Sequence, residues 1–239
     1  MRVLVTRPEA KAARTCARLE AMGHQAFQLP LFQPVHAEGA ARRSIGPGYW
    51  SALAVTSTEA LHDVVADRDA ASMKDRPLFA VGRKTAEAAR KAGFTNVIEG
   101  SGTGERLAET IAASDFDRAA PLLYLAGCPR APFFEQALER LKVDFETVTV
   151  YVMQPVINVP AQAETLLKKA KPDAVLFYST AGASRFFDLV RCELMAEFGL
   201  HPQFLCLSAA VAAAIPEAMS SAVRIAETPD ETSLLALLN

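Results

Sequence analysis

The chain has 239 residues, enough for one large domain or two smaller ones, and 51% of them are hydrophobic, ample for buried cores. Twenty-five Lys and Arg against 27 Asp and Glu leave a net charge of −2, with no basic run or stripe, which argues against nucleic acid as a partner. The opening MRVLVTRPEAKAAR has too few consecutive apolar residues for a signal peptide, and no stretch approaches ~18 uninterrupted apolar residues, so a cytoplasmic chain that does not enter a membrane is expected.

The first predicted element is VLV at Val3, a short buried strand. A turn at Arg7-Pro8, an amphipathic helix, a second strand and the segment LPLFQPV follow it. SALAVTSTEAL, from Ser51, is again strand then turn, with Ser57 and Thr58 at the turn. LFAVGRKTAEAARKAGF, from Leu78, joins an apolar run to an alanine-rich helical pattern through Gly82. A phosphate loop needs four residues between its first glycine and Gly-Lys-Thr, and here Gly82 stands alone. G-x-G-x-x-G is also missing, so a nucleotide-dependent transferase is poorly supported. Two readings of the Gly82 turn stay open: an ordinary strand-to-helix turn, or a helix start whose N–H groups and positive dipole end receive an anion.

From Leu122 the pattern begins again. LLYLAGCPRAPFFEQALERLKVDFETVTVYVMQPV repeats the strand, Arg/Pro turn, helix, strand and Gln-Pro-Val of the N-terminus. DAVLFYSTAGA matches SALAVTSTEAL, FLCLSAAVAAAI matches LFAVGRKTAEAA, and TSLLALL matches ERLAETI. The offsets are nearly constant: Arg7 to Arg130 is 123, Val35 to Val156 is 121, Ser57 to Ser179 is 122, Gly82 to Ser208 is 126 and Leu107 to Leu234 is 127. A long period kept in order points to two similar domains. Each copy alternates strands and helices, so the fold class is α/β, two similar domains with parallel sheets flanked by helices. Ligands of such sheets sit at the carboxyl ends of the strands. Arg7, Ser57, Thr58, Gly82, Arg130, Ser179, Thr180 and Ser208 fall there, and two such edges facing each other would form a cleft.

Pro34 and Pro155 cannot donate to a sheet ladder, which makes PLFQPV and YVMQPV better crossovers than central strands. The chain would then leave one domain near residue 35 and return near 155. Residues 1–34 with 156–239 form one domain, 36–154 form an inserted one, and the linker segments lie near 32–37 and 151–157. Cys16, Cys128, Cys192 and Cys206 and the four histidines show no ligand spacing, so no metal is expected and the thiols read as mostly buried and free.

VLVTRP, LPLFQPV, AVTSTEAL, FAVGRKTAEAARKAG, the tyrosine of VTVYVMQP, VLFYSTAGASRFF and LCLSAAVAAAI, in this order, resemble the uroporphyrinogen-III synthase family over essentially the whole chain. The resemblance implies two α/β domains joined by a two-stranded linker. It also implies a lyase without metal or organic cofactor, which closes hydroxymethylbilane into uroporphyrinogen III with loss of water and inversion of the fourth ring. The bilane carries eight carboxylates. It would be received at Gly82, Arg83, Lys84 and Thr85, at Ser57 and Thr58, at Ser179 and Thr180, and at Ser208, Ala209 and Ala210. Arg7 and Arg130 are candidates to pair with carboxylates, against a plain reading as surface arginines. Tyr151 is the candidate acid for the departing hydroxyl, against a reading as a packed tyrosine shielding the crossover.

The chain departs from the family pattern at Val211, where threonine is usual, at Ser208 for glycine and at Tyr178 for threonine. Tyr178 either enters the cleft or fills the sheet face. A monomer is expected, with room for a transient contact with the preceding pathway enzyme. The rival from another class is a non-catalytic two-domain cytosolic receptor for a small anion or polycarboxylate, which the repeat and the cleft fit equally well.

Overall fold

Apolar runs bounded by Gly, Pro and Ser become parallel strands in the computed structural model, which describes residues 1–45, 49–62, 64, 73–157, 159–190 and 192–238. The chain divides into a first unit, Met1–Gln33 with Gln154–Asn239, and a second, Pro34–Met153.

The first unit opens with β1 (Arg2–Val5), α1 (Glu9–Ala21) and β2 (Gln25–Gln28). Pro8, which has no N–H to leave unpaired, precedes α1, and Ala12, Thr15, Cys16 and Leu19 supply its buried stripe. Gly23 follows at φ 82°, the left-handed conformation that favours glycine after a helix.

The chain then passes through β3 (Phe32–His36) and α2 (Ala40–Ile45) to β4 (Ala52–Val55), a 3-10 turn (Thr58–Leu61), β5 (Leu78–Ala80) and α3 (Arg83–Lys91). Next come β6 (Val97–Glu99), α4 (Gly104–Ala113), β7 (Leu122–Cys128), α5 (Phe133–Arg140) and the long β8 (Phe145–Pro155). It returns to the first unit with α6 (Val159–Ala170), β9 (Ala174–Phe177), α7 (Thr180–Leu189), α8 (Cys192–Glu197) and β10 (Gln203–Cys206). The last elements are α9 (Ala209–Ala212), β11 (Val223–Ile225) and α10 (Glu231–Ala236).

The strand orders expose the repeat as topology. One sheet runs β2-β1-β9-β10-β11 and the other β3-β8-β7-β4-β5-β6. With β3 set aside, each sheet is built from the same five positions. Strands β1 and β2 of the first correspond to β7 and β8 of the second, and β9, β10 and β11 correspond to β4, β5 and β6. The pairs β1–β2, β1–β9, β9–β10, β10–β11, β4–β5, β4–β7, β5–β6 and β7–β8 are all parallel.

Strand β3 is the extra edge of its sheet, so Pro34 sits where a missing donor costs no ladder bond. Bonds from the Ala37 N–H to Val150 O (2.9 Å) and from the Val156 N–H to Leu31 O (3.1 Å) flank the β3–β8 pair, which therefore runs antiparallel. The two strands that carry the Gln-Pro-Val segments thus pair with each other.

Both faces of each sheet are covered. In the second unit Leu53, Val55, Leu78, Ala80, Leu123 and Leu125 pack on one side, and Ala52, Ala54, Phe79, Leu122, Tyr124 and Ala126 on the other. The first unit divides alike, with Leu4, Val175, Phe177 and Phe204 opposite Val3, Val5, Leu176 and Leu205. This explains why its strands read as continuous apolar runs rather than alternating ones. Among the described residues no helix is long and apolar enough to cross a membrane.

Phe177 is fully buried, edge-on to Phe186 at 5.3 Å between ring centres, whereas Phe133 is 60% exposed. Phe177→Ala should lower the unfolding free energy by about 3–5 kcal/mol. Phe133→Ala should change it by less than about 1 kcal/mol. Urea unfolding followed by circular dichroism measures both, and equal midpoints for the two variants would contradict this core.

Candidate active site

Four strand ends of the second unit lie side by side, because β7, β4, β5 and β6 are successive parallel neighbours. After β4 the chain turns at Ser57, whose extended backbone (φ −148°, ψ 147°) lets its hydroxyl accept the Glu59 N–H at 3.3 Å and start the 3-10 turn. Thr58 opens that turn, half-buried. After β5, Gly82 precedes α3, and after β6, Thr103 caps α4 by accepting the Arg106 N–H at 3.3 Å.

Strand β8 contributes the phenol, and a bulge decides where it points. Leu125 pairs with Val148 and Ala126 with Thr149, but Gly127 pairs with Tyr151, so one residue, Val150, is extra. Strict alternation would send Val148 and Tyr151 to opposite faces of the sheet. With the extra residue both pack on the face that holds Leu123, Leu125 and Val55. The ring of Tyr151 then lies over Gly127, where a Cβ would collide with its Cζ and its hydroxyl oxygen. Only a residue without a side chain fits at 127.

The phenol is half-buried and hydrogen-bonded to the Ser57 side chain. Burial pushes its pKa up; the Ser57 bond offsets part of the rise and the Glu59 charge adds to it. It is therefore a protonated donor at neutral pH. Next to it, Thr56 Oγ1 and Tyr124 Oη are 2.9 Å apart. His36 stacks on His62 with ring centres 4.0 Å apart and lies 6.0 Å from the Tyr151 ring. Its Nε2 is 3.4 Å from Glu59 Oε2 and makes no hydrogen bond.

The expected anion turn is altered in one respect. Gly82 has φ −173°, extended backbone that any residue adopts, and a Cβ there would meet Gly102 Cα at an ordinary 3.6 Å. Neither backbone strain nor crowding requires this glycine. Thr85, expected to contact ligand, is instead buried at 6% exposure and shares the inward side of α3 with Ala86 and Ala89. Its N–H and that of Ala86 return to the Gly82 carbonyl. Arg83 points outward, 81% exposed, to Glu87 one turn along the helix, and Lys84 is exposed.

Both arginine candidates already hold a carboxylate of their own chain. Arg130 grips Glu135 with two bonds, Nε to Oε2 at 2.9 Å and Nη2 to Oε1 at 3.0 Å, and Thr147 donates to the same Oε1 at 2.9 Å. In the first unit Arg7 Nη1 reaches Glu231 Oε1 at 2.5 Å, while the guanidinium lies 4.0 Å over the ring of Tyr178. Glu231 also accepts from Thr15 at 2.6 Å and from Arg18 at 2.8 Å. Tyr178 belongs to this network and packs on the sheet face with its pKa pushed up to about 12, chiefly by burial.

Elsewhere in the first unit, Ser179 caps α7 by accepting the Gly182 N–H at 3.1 Å, and Ser208 caps α9 by accepting from Val211 at 3.4 Å. Thr180 donates to the Ala210 carbonyl at 3.3 Å, which ties these two turns together. Ala210 is exposed and Val211 is buried. Cys16 and Cys206 are buried as expected, but Cys128, at the end of β7, is exposed; the Cys192 side chain lies outside the described residues. Among the described residues no three His, Cys, Asp or Glu are placed to hold a metal.

A family model described as uroporphyrinogen-III synthase HemD matches residues 13–236. No curated protein matches the chain. Among solved structures, the fold is similar to uroporphyrinogen-III synthetase from Helicobacter pylori, with TM-score 0.65, 16% identity and coverage of 100% of this chain and 98% of that one. It is also similar to a mutant uroporphyrinogen III synthase from Thermus thermophilus, with TM-score 0.55, 16% identity and coverage of 100% and 97%.

The Arg7–Glu231 network makes a prediction of its own. Burial raises the Glu231 carboxyl, but the Thr15 bond and the two guanidiniums outweigh it, so its folded pKa lies below the ordinary value. A depressed carboxylate contributes stability above its unfolded pKa and loses it as pH falls through the folded one. Glu231→Gln should therefore cost about 1–3 kcal/mol at neutral pH, and the gap to the parent should close on acidification from roughly pH 4 downward. Denaturation at a series of pH values measures this, and a gap that is constant with pH would contradict it.

Proposed function

We infer from the uroporphyrinogen-III synthase family, to which this chain belongs, a reaction centre at Tyr151 in the second unit. The activity is that of the family: hydroxymethylbilane loses its terminal hydroxyl as water and closes into uroporphyrinogen III with the fourth pyrrole ring inverted, a lyase step of porphyrin and haem biosynthesis. Nothing favours a non-catalytic receptor.

The observation that carries the site reading is a phenol kept protonated by burial, hydrogen-bonded to Ser57 and seated on Gly127. In the proposed first step the bond between the hydroxymethyl carbon and its oxygen breaks. The electron pair leaves with the oxygen, the Tyr151 proton completes a water molecule, and the positive charge stays on the carbon and its pyrrole. The substituted carbon of the last ring attacks, the spiro intermediate fragments and recloses, and the proton lost as the pyrrole regains aromaticity returns to Tyr151. The bilane also closes unaided to the uninverted isomer, so positioning for attack by the crowded carbon is the larger demand on the protein.

Because Arg7 and Arg130 are each neutralised internally, we assign carboxylate binding to backbone N–H groups and hydroxyls at strand ends. These are Ser57, Thr58 and the Gly82 turn in the second unit, and Ser179, Thr180, Ser208 and Ala210 in the first. A capping serine accepts one N–H and still has its own O–H to donate. The Thr85 side chain is left out of this set. We expect a cytoplasmic monomer.

The test is a coupled assay in which hydroxymethylbilane is generated in situ and the oxidised type I and type III isomers are separated. Type III in excess over the protein-free control is expected. Tyr151→Phe should lower kcat by about 10²–10⁴-fold with KM little changed. Wild-type kcat in that variant would remove Tyr151 from the chemistry.

A further inference from the structure

A carboxylate is an unexpected neighbour in a site for a substrate with eight carboxylates, and Glu59 is one. It lies within the 3-10 turn after β4, with its side chain 22% exposed, two residues from Ser57. Its N–H is taken by Ser57, its Oε2 faces His36, and its charge reaches the Tyr151 phenol. The His36 side chain is 17% exposed, its ring stacks on that of His62 and lies 6.0 Å from that of Tyr151, and its Nε2 makes no hydrogen bond to Glu59. The position is built, since three elements (β3, the 3-10 turn and β8) converge on it. The negative charge there repels the substrate's side chains and suits only a positive charge that appears during the reaction.

We propose that Glu59 is the group that stabilises the cation left on the first pyrrole when the hydroxyl departs. This rests on the reading of Tyr151 as the acid. A fixed charge aimed at developing charge lowers the barrier without reorganising at the moment of reaction. The same charge disfavours the phenolate that proton donation leaves at Tyr151, which favours return of the proton when the closing ring gives it up.

The test compares Glu59→Gln, Glu59→Asp and Tyr151→Phe in the coupled assay. Phenolate absorbance is titrated in parallel, with Tyr151→Phe as the blank that isolates one tyrosine. Glu59→Gln should lower kcat at least about tenfold while KM stays level or falls, because one repulsion of the polyanion is gone. Glu59→Asp should recover part of kcat, and Glu59→Gln should shift the Tyr151 titration to lower pH. Wild-type kcat in Glu59→Gln, a loss confined to KM, an Asp variant slower than the Gln variant, or an unmoved titration would each overturn the proposal. If Tyr151→Phe is slow and Glu59→Gln is not, this inference alone fails. If Tyr151→Phe keeps wild-type kcat, the reading of the acid fails.

Discussion

The contact between the Tyr151 ring and the bare backbone of Gly127 is the constraint on which the rest of the candidate site depends. A single extra residue in β8 turns the tyrosine onto the face where the turn after β4 presents Ser57 and Glu59, and only glycine opposite leaves room for the ring. From that placement follow the bond to Ser57, the burial that keeps the phenol protonated and the reach of the Glu59 charge. Phenol, hydrogen-bond partner and carboxylate come from two neighbouring stretches of backbone. Covered sheet faces fix both, so the geometry is held by the core rather than by flexible side chains.

A protein of net charge −2 that works on a polyanion must supply positive potential locally. Here the guanidiniums best placed in sequence to do so are held by Glu135 and Glu231. On the proposed assignment strand ends supply it instead, through N–H groups of the turns and helix starts, whose dipoles are fixed and carry no counter-charge of their own. On that assignment such groups would hold carboxylates without competing for the cation that the reaction creates, and that task would fall to the proposed Glu59.

Much of the architecture was legible because it is periodic. The repeat of strand, turn and helix points to two similar α/β domains with parallel sheets, while the order of the strands within each sheet comes only from the fold. The bulge was not legible: in FETVTVYV both Val150 and Tyr151 are apolar, so an added residue leaves no trace in the alternation. The arginine at position 7 was visible at its turn, but its partner Glu231 lies 224 residues away and only the fold brings them together. The burial of Thr85 could have been found, since it shares the inward stripe of Ala86 and Ala89. Glu59 carried no signal of its own, because nothing in STEAL marks a carboxylate beside a phenol contributed 92 residues later.

The most direct measurement is a double-mutant cycle in kcat between Gly127→Ala and Tyr151→Phe. A methyl at 127 must push the ring aside, so the account predicts that Gly127→Ala alone costs nearly as much as Tyr151→Phe. The double variant should then be no slower than the slower single one. Two losses that multiply, or a Gly127→Ala enzyme with full activity, would show that the seat of the ring on Gly127 does not set the position of the acid.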